Sequence, residues 1–297
     1  MEYGKLFTEG RNPRSMHIDK MSTLEQLQCI NAEDHVVVDA VQAALPQIAP
    51  VVDRIVSGMK EGGRLIYTGC GTSGRLGVLD ASECPPTYGV SSDLVIGVIA
   101  GGDHALRNAI EGAEDSREAG IAAMEGLNLQ PQDVVVGLSA AGGAAFVLGT
   151  LEYAKEKGCA TAGITCNPDT PLTRACDMPI VVLSGPEVVT GSTRMKSGTA
   201  QKMVLNMLST GAMIKLGKVY GNLMVDVKPS NEKLVRRCVT IVCAATECDE
   251  ATATAALEAC EYRPKIAIVM VLMGVGAEEA KALLAKADGR IAKVLEK

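Results

Sequence analysis

Residues 62–88 read GGRLIYTGCGTSGRLGVLDASECPPTY and join an apolar run to a glycine-rich turn. The run Leu65–Tyr67 is bounded by glycines on both sides and predicts a short buried strand. The glycines after it let the backbone turn its N–H groups inward, and a helix beginning near Gly74 directs its positive end at the same point. We therefore expect a phosphate-like anion to bind at this turn. Its predicted ligands are Gly71, Thr72, Ser73, Gly74 and Arg75.

An ordinary glycine-rich turn between a strand and a helix is the alternative explanation of this stretch. The two hydroxyls and the arginine that accompany the glycines favour the phosphate. The helix is expected to be short, because Pro85 and Pro86 should stop it directly after Glu83. The stretch thus predicts a strand, an anion site and a carboxylate at a helix end.

Short β-rich runs alternate with helical stretches between residues 64 and 184. The runs are Leu65–Tyr67, Leu94–Ile99, Val134–Leu138, Ala160–Thr165 and Ile180–Leu183. This alternation predicts an α/β fold in which helices cover both faces of a parallel sheet. Ligands of such sheets bind beyond the carboxyl ends of the strands. The loops expected there are 69–74, 100–103, 139–145 and 166–171.

Helical periodicity covers the rest of the chain. A segment over residues 22–60 is predicted to be helical with breaks near Asn31 and Pro46, and a long helix is predicted from Thr193 to about Lys218. Residues 230–297 are again helical and end in a small cap at Ala277–Lys297. The expected division is an N-terminal helical segment (1–55), a sheet domain (56–225) and a C-terminal helical region (226–297).

Composition excludes several classes of protein. The 297 residues are 47% hydrophobic and carry a net charge of −6 without a basic block, which argues against nucleic acid or an anionic membrane as a partner. No apolar stretch is expected to span a membrane, and the charged N-terminus does not resemble a signal peptide. The ten cysteines are scattered, which indicates a reduced, cytoplasmic protein. The three histidines lie far apart, so no metal is expected.

A strand is followed by the turn Gly-Thr-Ser-Gly, a helix and the segment Asp80-Ala-Ser-Glu-Cys-Pro-Pro-Thr87. This order resembles the sugar isomerase (SIS) domain, and more narrowly the N-acetylmuramic acid 6-phosphate etherases. Further segments resemble that family in the same order, so the resemblance covers nearly the whole chain. They are Thr8–Pro13, Ile30–Asp34, Glu111–Asp115, Gly185–Arg194 and Gly221–Val227. The resemblance implies an SIS fold in residues 56–225, a homodimer, and a sugar 6-phosphate substrate handled without a metal or another cofactor.

The family cleaves the ether that joins D-lactate to C3 of N-acetylmuramic acid 6-phosphate, and the resemblance assigns its two catalytic carboxylates to Glu83 and Glu114. The ether leaves by elimination only if one group removes the C2 proton and another protonates the leaving oxygen. Glu83 suits the acid, since the negative end of a helix dipole disfavours its charged form. Glu114 suits the base, since acidic neighbours surround it. The alternative explanation of Glu83 is a side chain that caps the helix, and that of Glu114 is a place on a solvated helix face.

The segment Gly185–Arg194 is a second donor-rich turn, and its Ser192 and Thr193 are predicted to bind substrate. Either residue also suits the cap of the helix that follows. One loop departs from the family, which usually carries Ala-Ser-Gly-Arg-Thr-Pro where this chain has Ala140–Ala145. The family's serine, arginine and threonine are replaced by Ala141, Gly143 and Ala144, so weaker phosphate binding or another substrate is expected.

Two other functions stay open at this point. A non-catalytic sensor of sugar phosphates would explain the altered loop, but it gives Glu83 and Glu114 little reason to be paired. An aldose–ketose isomerase also removes a C2 proton, but the segment Asp80–Pro86 favours elimination.

Overall fold

The computed structural model describes Gly4, residues 6–227, Pro229 and residues 231–296. The chain divides into two compact units. The first contains Met1–Ser82 and Asp93–Ser209, and the second contains Glu83–Ser92 and Thr210–Lys297. The three-part division drawn from the sequence stays a prediction.

A five-stranded parallel sheet forms the centre of the first unit, as predicted. Its strands are β1 (Leu65–Gly69), β2 (Val95–Ile99), β3 (Val134–Leu138), β4 (Ala160–Thr165) and β5 (Met178–Val181). They are arranged in the order β2-β1-β3-β4-β5, and the register sets Leu65 between Val95 and Val134. Every residue of β1 and β3 is buried, as expected for central strands that are covered on both faces.

Helices and short 3₁₀ turns connect these strands. The helices are α1 (Thr23–Lys60), α2 (Gly71–Tyr88), α3 (Arg117–Glu125), α4 (Ala145–Glu156), α5 (Pro171–Ala175) and α6 (Lys196–Lys215). The 3₁₀ turns are Phe7–Glu9, Ile18–Lys20 and Asp103–Leu106. The carboxyl ends of the strands therefore lead into the starts of α2, α4 and α5, as the alternating pattern predicts.

Helix α1 is continuous over 38 residues, so the predicted breaks near Asn31 and Pro46 are wrong. It begins with a capping box in which Ser22 and Glu25 satisfy each other's backbone N–H groups. Pro46 and Pro50 lie inside the helix on its exposed side. Gln42 and Pro46, whose carbonyls lose a partner there, are exposed residues, which lowers the cost of each proline.

The expectation about membrane spans also needs correction, because α1 is long and apolar enough to cross a membrane by length and composition alone. A single helix of this kind near the N-terminus is weak evidence for a membrane protein. Its buried positions, among them Val37, Val41, Val51 and Ile55, pack beside β3 and β5 of the sheet. Part of the apolar content of α1 thus serves the core, while Leu24, Leu27 and Val38 are exposed.

Helix α2 continues through both prolines to Tyr88, so the prediction that they stop it after Glu83 is wrong. The fixed φ of proline is compatible with a helix, although each proline loses the backbone hydrogen bond to the residue four positions earlier and its ring crowds that residue's carbonyl. Cys84 and Tyr88 are buried and anchor the last turn. Gly89, with φ of 65°, then ends the helix in the left-handed conformation.

The second unit is largely helical and confirms the predicted cap. After a two-stranded hairpin, β6 (Val219–Tyr220) and β7 (Leu223–Met224), it contains five helices in the described residues. They are α7 (Glu232–Thr246), α8 (Glu250–Ala259), α9 (Pro264–Met273), α10 (Ala277–Lys286) and α11 (Ile291–Leu295). The apolar α9 contacts the other four and forms the centre of this core. Ser230 and Lys297, at the ends of the predicted helical range, lie outside the described residues.

Candidate active site

Two loops at the carboxyl ends of β1 and β3 form the walls of a cavity of about 240 Å³. We call Cys70–Ser73 the first loop and Ser139–Ala144 the second loop. The lining residues are Cys70, Gly71, Thr72, Ser73, Glu114, Leu138, Ser139, Ala140, Ala141, Ala144 and Thr193. The structure thus brings together the predicted anion turn, one predicted carboxylate and Thr193. We call this space the loop cavity.

The first loop passes directly into α2, which begins at Gly71 rather than near Gly74. The first turn of α2 lies so close to the end of β1 that a Cβ on Gly74 would be 2.6 Å from the Gly69 carbonyl oxygen. The first N–H groups of a helix have no intrahelical acceptor. The N–H groups of the first loop therefore form the positive end of α2 at the loop cavity.

The two hydroxyls of the first loop have different surroundings. Ser73 is buried, and its hydroxyl donates to Oε1 of Gln201 on α6 at 2.8 Å. This bond joins the start of α2 to α6. Thr72 is half-buried and makes no side-chain hydrogen bond within the described residues. Thr72 is therefore the hydroxyl of this loop that is free to donate to an anion.

Arg75 lines a neighbouring cavity of about 200 Å³ and not the loop cavity. Its guanidinium donates to the carbonyl oxygens of Leu106 and Asn108, at 3.0 and 3.2 Å. The side chain thus holds the segment that follows β2. Its predicted contact with a phosphate stays a prediction.

The second loop offers main-chain donors in place of the side chains it lacks. The N–H groups of Ala141, Gly143 and Ala144 have no acceptor within the described part of the chain. Ala144 is the N-cap of α4 and makes no side-chain cap, so the start of that helix is open. Gly142 has φ of 73° and is in contact with Thr170, which fixes the turn.

Ser139 supplies the only hydroxyl of the described second loop. It is buried, lines the loop cavity, and its Oγ accepts the Gly142 N–H at 3.0 Å. Its own proton has no acceptor in the part of the chain that the structure describes. Sequence reasoning missed this residue. Its position directly after an apolar strand, in a loop expected at the site, is the signal that could have found it.

Glu114 is exposed in the turn before α3 and lines both the loop cavity and the neighbouring one. Its carbonyl oxygen accepts the N–H of Phe146 at 3.0 Å, which ties it to the start of α4. Cys70 lies beside it. Burial, and then the charges of Glu114 and Asp115, raise the pKa of the Cys70 thiol to about 12, so Cys70 stays protonated at neutral pH.

Glu83 is exposed on α2 and belongs to the second unit. It does not line the loop cavity or its neighbour. Because α2 continues for five residues beyond it, Glu83 does not lie at the helix end, and the dipole argument for its protonation is wrong. Its role as an acid stays a prediction based on the family resemblance.

The start of α6 is capped by Glu187, not by Ser192 or Thr193. The Glu187 carboxylate accepts the N–H groups of Lys196 and Ser197, each at 2.9 Å. This leaves Thr193 free to line the loop cavity, whereas Ser192 does not line it. A carboxylate nine residues away from the helix start gives no local signal, which is why the capping expectation failed.

Lys196 is buried and forms an ion pair with Glu33 of α1, with Nζ 2.6 Å from Oε2. Burial alone would raise the pKa of Glu33, but hydrogen bonds from Lys196 and Asn12 and the charge of Arg14 lower it. The charged pair fixes α1, α6 and the N-terminal segment to one another. Within the described residues, no group of three or more His, Cys, Asp or Glu side chains has a geometry suited to a metal ion.

Known proteins with similar sequences cover the whole chain. An N-acetylmuramic acid 6-phosphate etherase of Escherichia coli O1:K1 is 56% identical over 297 residues, which is 100% of both chains. One from Aliivibrio fischeri strain MJ11 is 56% identical over 98% of this chain and 97% of its own length. The family model of the glucokinase regulatory protein N-terminal SIS domain matches residues 47–155, and the SIS domain model matches residues 111–211.

A solved structure with the same fold is the phosphoheptose isomerase from Francisella tularensis. The TM-score is 0.50 at 15% sequence identity, and the match covers 65% of this chain and all of that one. At this identity the likeness concerns the fold alone. It agrees with the SIS fold that the sequence predicts.

Proposed function

The chain belongs to the N-acetylmuramic acid 6-phosphate etherase family, and on this premise we propose that it cleaves the C3 lactyl ether of N-acetylmuramic acid 6-phosphate to N-acetylglucosamine 6-phosphate and D-lactate. The observation that carries this proposal is the loop cavity, whose walls combine helix-start N–H groups and hydroxyls with the carboxylate of Glu114. The loop cavity thus combines a binding site for an anion with a carboxylate that can act as a base.

In this proposal the phosphate binds where α2 and α4 begin. Helix starts attract anions through free N–H groups and the positive end of the dipole. Thr72, Ser139 and Thr193 add hydroxyls around the same space. Two helix starts that face one cavity support a phosphate ligand even though the second loop lacks the family's usual side chains.

The reaction is an elimination followed by hydration. Ring opening provides the C1 aldehyde, which makes the C2 proton acidic, and Glu114 accepts that proton as general base. The C3–O bond then breaks, and Glu83 as general acid protonates the departing lactate oxygen. The resulting C2–C3 double bond takes up water at C3, so the proton on C2 and the hydroxyl on C3 are restored from water. No redox change occurs, and the proposal includes no cofactor.

The other two functions are less well supported. The relatives that match over the full chain are etherases, and Glu114 lines the cavity in which a pure sensor would need no base. An isomerase would leave the ether intact, so it would produce no D-lactate.

We also propose a cytoplasmic homodimer, in line with the family resemblance. None of the ten cysteines, all within the described residues, forms a disulfide, which suits a reducing compartment. Helix α6 adds no support for pairing, because most of its apolar positions are buried within a single chain, including Val204, Leu205 and Leu208. The dimer is tested by light scattering at the working concentration, where a monomer would contradict it.

The function is tested by incubating the purified protein with N-acetylmuramic acid 6-phosphate and assaying D-lactate. Glu114→Gln should lower the rate by about 10²–10⁴-fold, since a general base is lost, and should stop exchange of the C2 proton in deuterated solvent. Glu83→Gln should stop lactate release but leave substrate binding largely intact. Glu118→Gln, an exposed carboxylate of α3 outside the cavity, is the matched control. No lactate from the wild-type protein would contradict the proposal.

A further inference from the structure

The carbonyl oxygen of Ala140, in the second loop, is held by three donors. These are Oγ1 of Thr165 at 3.1 Å, the N–H of Cys166 at 3.0 Å and Nδ2 of Asn167 at 2.9 Å. All three come from the end of β4 and the residues directly after it. A carbonyl oxygen has two lone pairs, so three donors saturate it and fix its direction. We call this arrangement the carbonyl clamp.

The orientation of Asn167 in the carbonyl clamp follows from its other partners. The backbone N–H of Thr8 donates to Oδ1 of Asn167 at 3.2 Å, and this contact identifies the amide oxygen. The amide nitrogen must then face Ala140 and Oγ1 of Thr8, as it does. Thr8 and Asn167 are both wholly buried. The N-terminal segment therefore sets which end of the amide meets the second loop.

The carbonyl clamp determines the direction of the next N–H group. A trans peptide is planar, so the carbonyl of residue 140 and the N–H of residue 141 point in opposite directions. Strand β3 lies between β1 and β4 in the sheet. Since the carbonyl points to the β4 side, the Ala141 N–H points to the β1 side, where the first loop lies. None of the three clamp donors lines the loop cavity, whereas Ala140 and Ala141 both do.

We propose that Thr165 and Asn167 are positioning residues that aim the Ala141 N–H at the phosphate of the substrate. The inference rests on the proposed function for the identity of that ligand. It explains how a loop with alanine and glycine in place of serine, arginine and threonine binds an anion. The donor is the main chain, and its direction is enforced by residues at the end of β4 that do not line the loop cavity.

The chain offers a matched control for this proposal. Thr161 and Thr165 lie four residues apart on β4, so they share a face of the sheet, and both are wholly buried. The hydroxyl of Thr161 donates to Asp177 and not to the second loop. Thr165→Val and Thr161→Val therefore each remove one buried hydroxyl and keep the shape of the side chain. Only the first change loosens the carbonyl clamp.

The experiment measures inhibition of D-lactate release by inorganic phosphate and, by calorimetry, direct binding of phosphate. Thr165→Val should raise KM and the phosphate Kd about two- to tenfold, the effect of one neutral hydrogen bond, with kcat almost unchanged. Asn167→Asp should weaken phosphate binding further, because its oxygen then faces the Ala140 carbonyl. Thr165→Ser keeps the donor and should restore wild-type affinity. Thr161→Val should leave both constants unchanged.

Equal phosphate affinities for Thr165→Val and Thr161→Val would overturn the proposal, as would a loss of thermal stability in Thr165→Val without a change in KM or Kd. If Thr165→Val does not fold, the comparison of Asn167→Asp with Thr161→Val decides in the same way. A different result would refute the proposed reaction. A wild-type protein that binds phosphate but releases no lactate refutes the etherase activity, while the Kd comparison still tests the carbonyl clamp.

Discussion

The first and second loops line the same cavity but present different chemical groups to it. The first loop carries Thr72 and Ser73 on a helix start that a glycine pair allows to approach β1 closely. The second loop carries one hydroxyl, at Ser139, and otherwise offers main-chain N–H groups. Main-chain donors do not depend on the side chain attached to them. A loop of this kind can change its sequence and keep an anion site, provided that its peptides are held in the right direction.

Gly74→Ala should have the largest effect on this comparison, because it displaces the main chain of the first loop and leaves the loop's own side chains in place. Its Cβ would lie 2.6 Å from the Gly69 carbonyl oxygen, so α2 must move away from β1. We expect phosphate binding to weaken more than tenfold and the free energy of unfolding to fall by about 1–3 kcal/mol. Calorimetry and urea unfolding measure the two effects.

Gly126→Ala is the control for this change, since an added Cβ at Gly126 meets nothing closer than 3.7 Å. If Gly74→Ala binds phosphate as well as Gly126→Ala does, the first loop does not hold the anion.

Gly143→Arg should sharpen the comparison by giving the second loop a side-chain charge. The positive φ of this loop belongs to Gly142, so residue 143 can accept a side chain without that strain. A charge-assisted hydrogen bond contributes about 1.5–3 kcal/mol, so phosphate should bind roughly ten- to a hundredfold more tightly. The gain should shrink at high salt. Gly143→Gln adds a shorter polar side chain without the charge, and an equal gain from both variants would contradict this interpretation.

Ser139→Ala removes the hydroxyl of the second loop and should raise KM about two- to tenfold, the effect of one hydrogen bond. Steady-state kinetics of lactate release measure the change. Ser57→Ala, which removes an exposed hydroxyl on α1 that donates to Glu61, serves as control. An unchanged KM for Ser139→Ala would show that this loop binds the anion through its main chain alone.

Ala144→Thr should have the smallest effect on binding. Ala144 is an N-cap without a side-chain acceptor, and a threonine there can accept the N–H of Val147. We expect the free energy of unfolding to rise by about 1 kcal/mol, with KM within twofold of wild type. Ala144→Val, of the same shape but without the hydroxyl, separates capping from packing in urea unfolding. A large fall in KM would instead assign the hydroxyl to the substrate.

Local patterns were sufficient for the sheet and the first loop, because buried strands and glycine turns are coded by adjacent residues. They failed for α1 and α2, where prolines suggested breaks. Buried residues on both sides of those prolines, such as Ile48 and Cys84, hold the helices together. The same limit explains the missed support of the site. Glu187 caps a helix from nine residues away, and Thr8 contacts Asn167 across 159 positions, so neither leaves a short-range signal.

The bond between Thr8 and Asn167 also has a consequence for the order of events during synthesis. Thr8 leaves the ribosome 159 residues before its partner. At translation rates of about 5–20 residues per second, this interval lasts roughly 8 to 30 seconds. In the later part of that interval, once residue 73 has been made, the nascent chain has the glycine turn of the first loop but no means of fixing the peptide of the second. Phosphate affinity should therefore arise late in translation, and ribosome-bound chains stalled before residue 167 should not bind phosphate as the finished protein does.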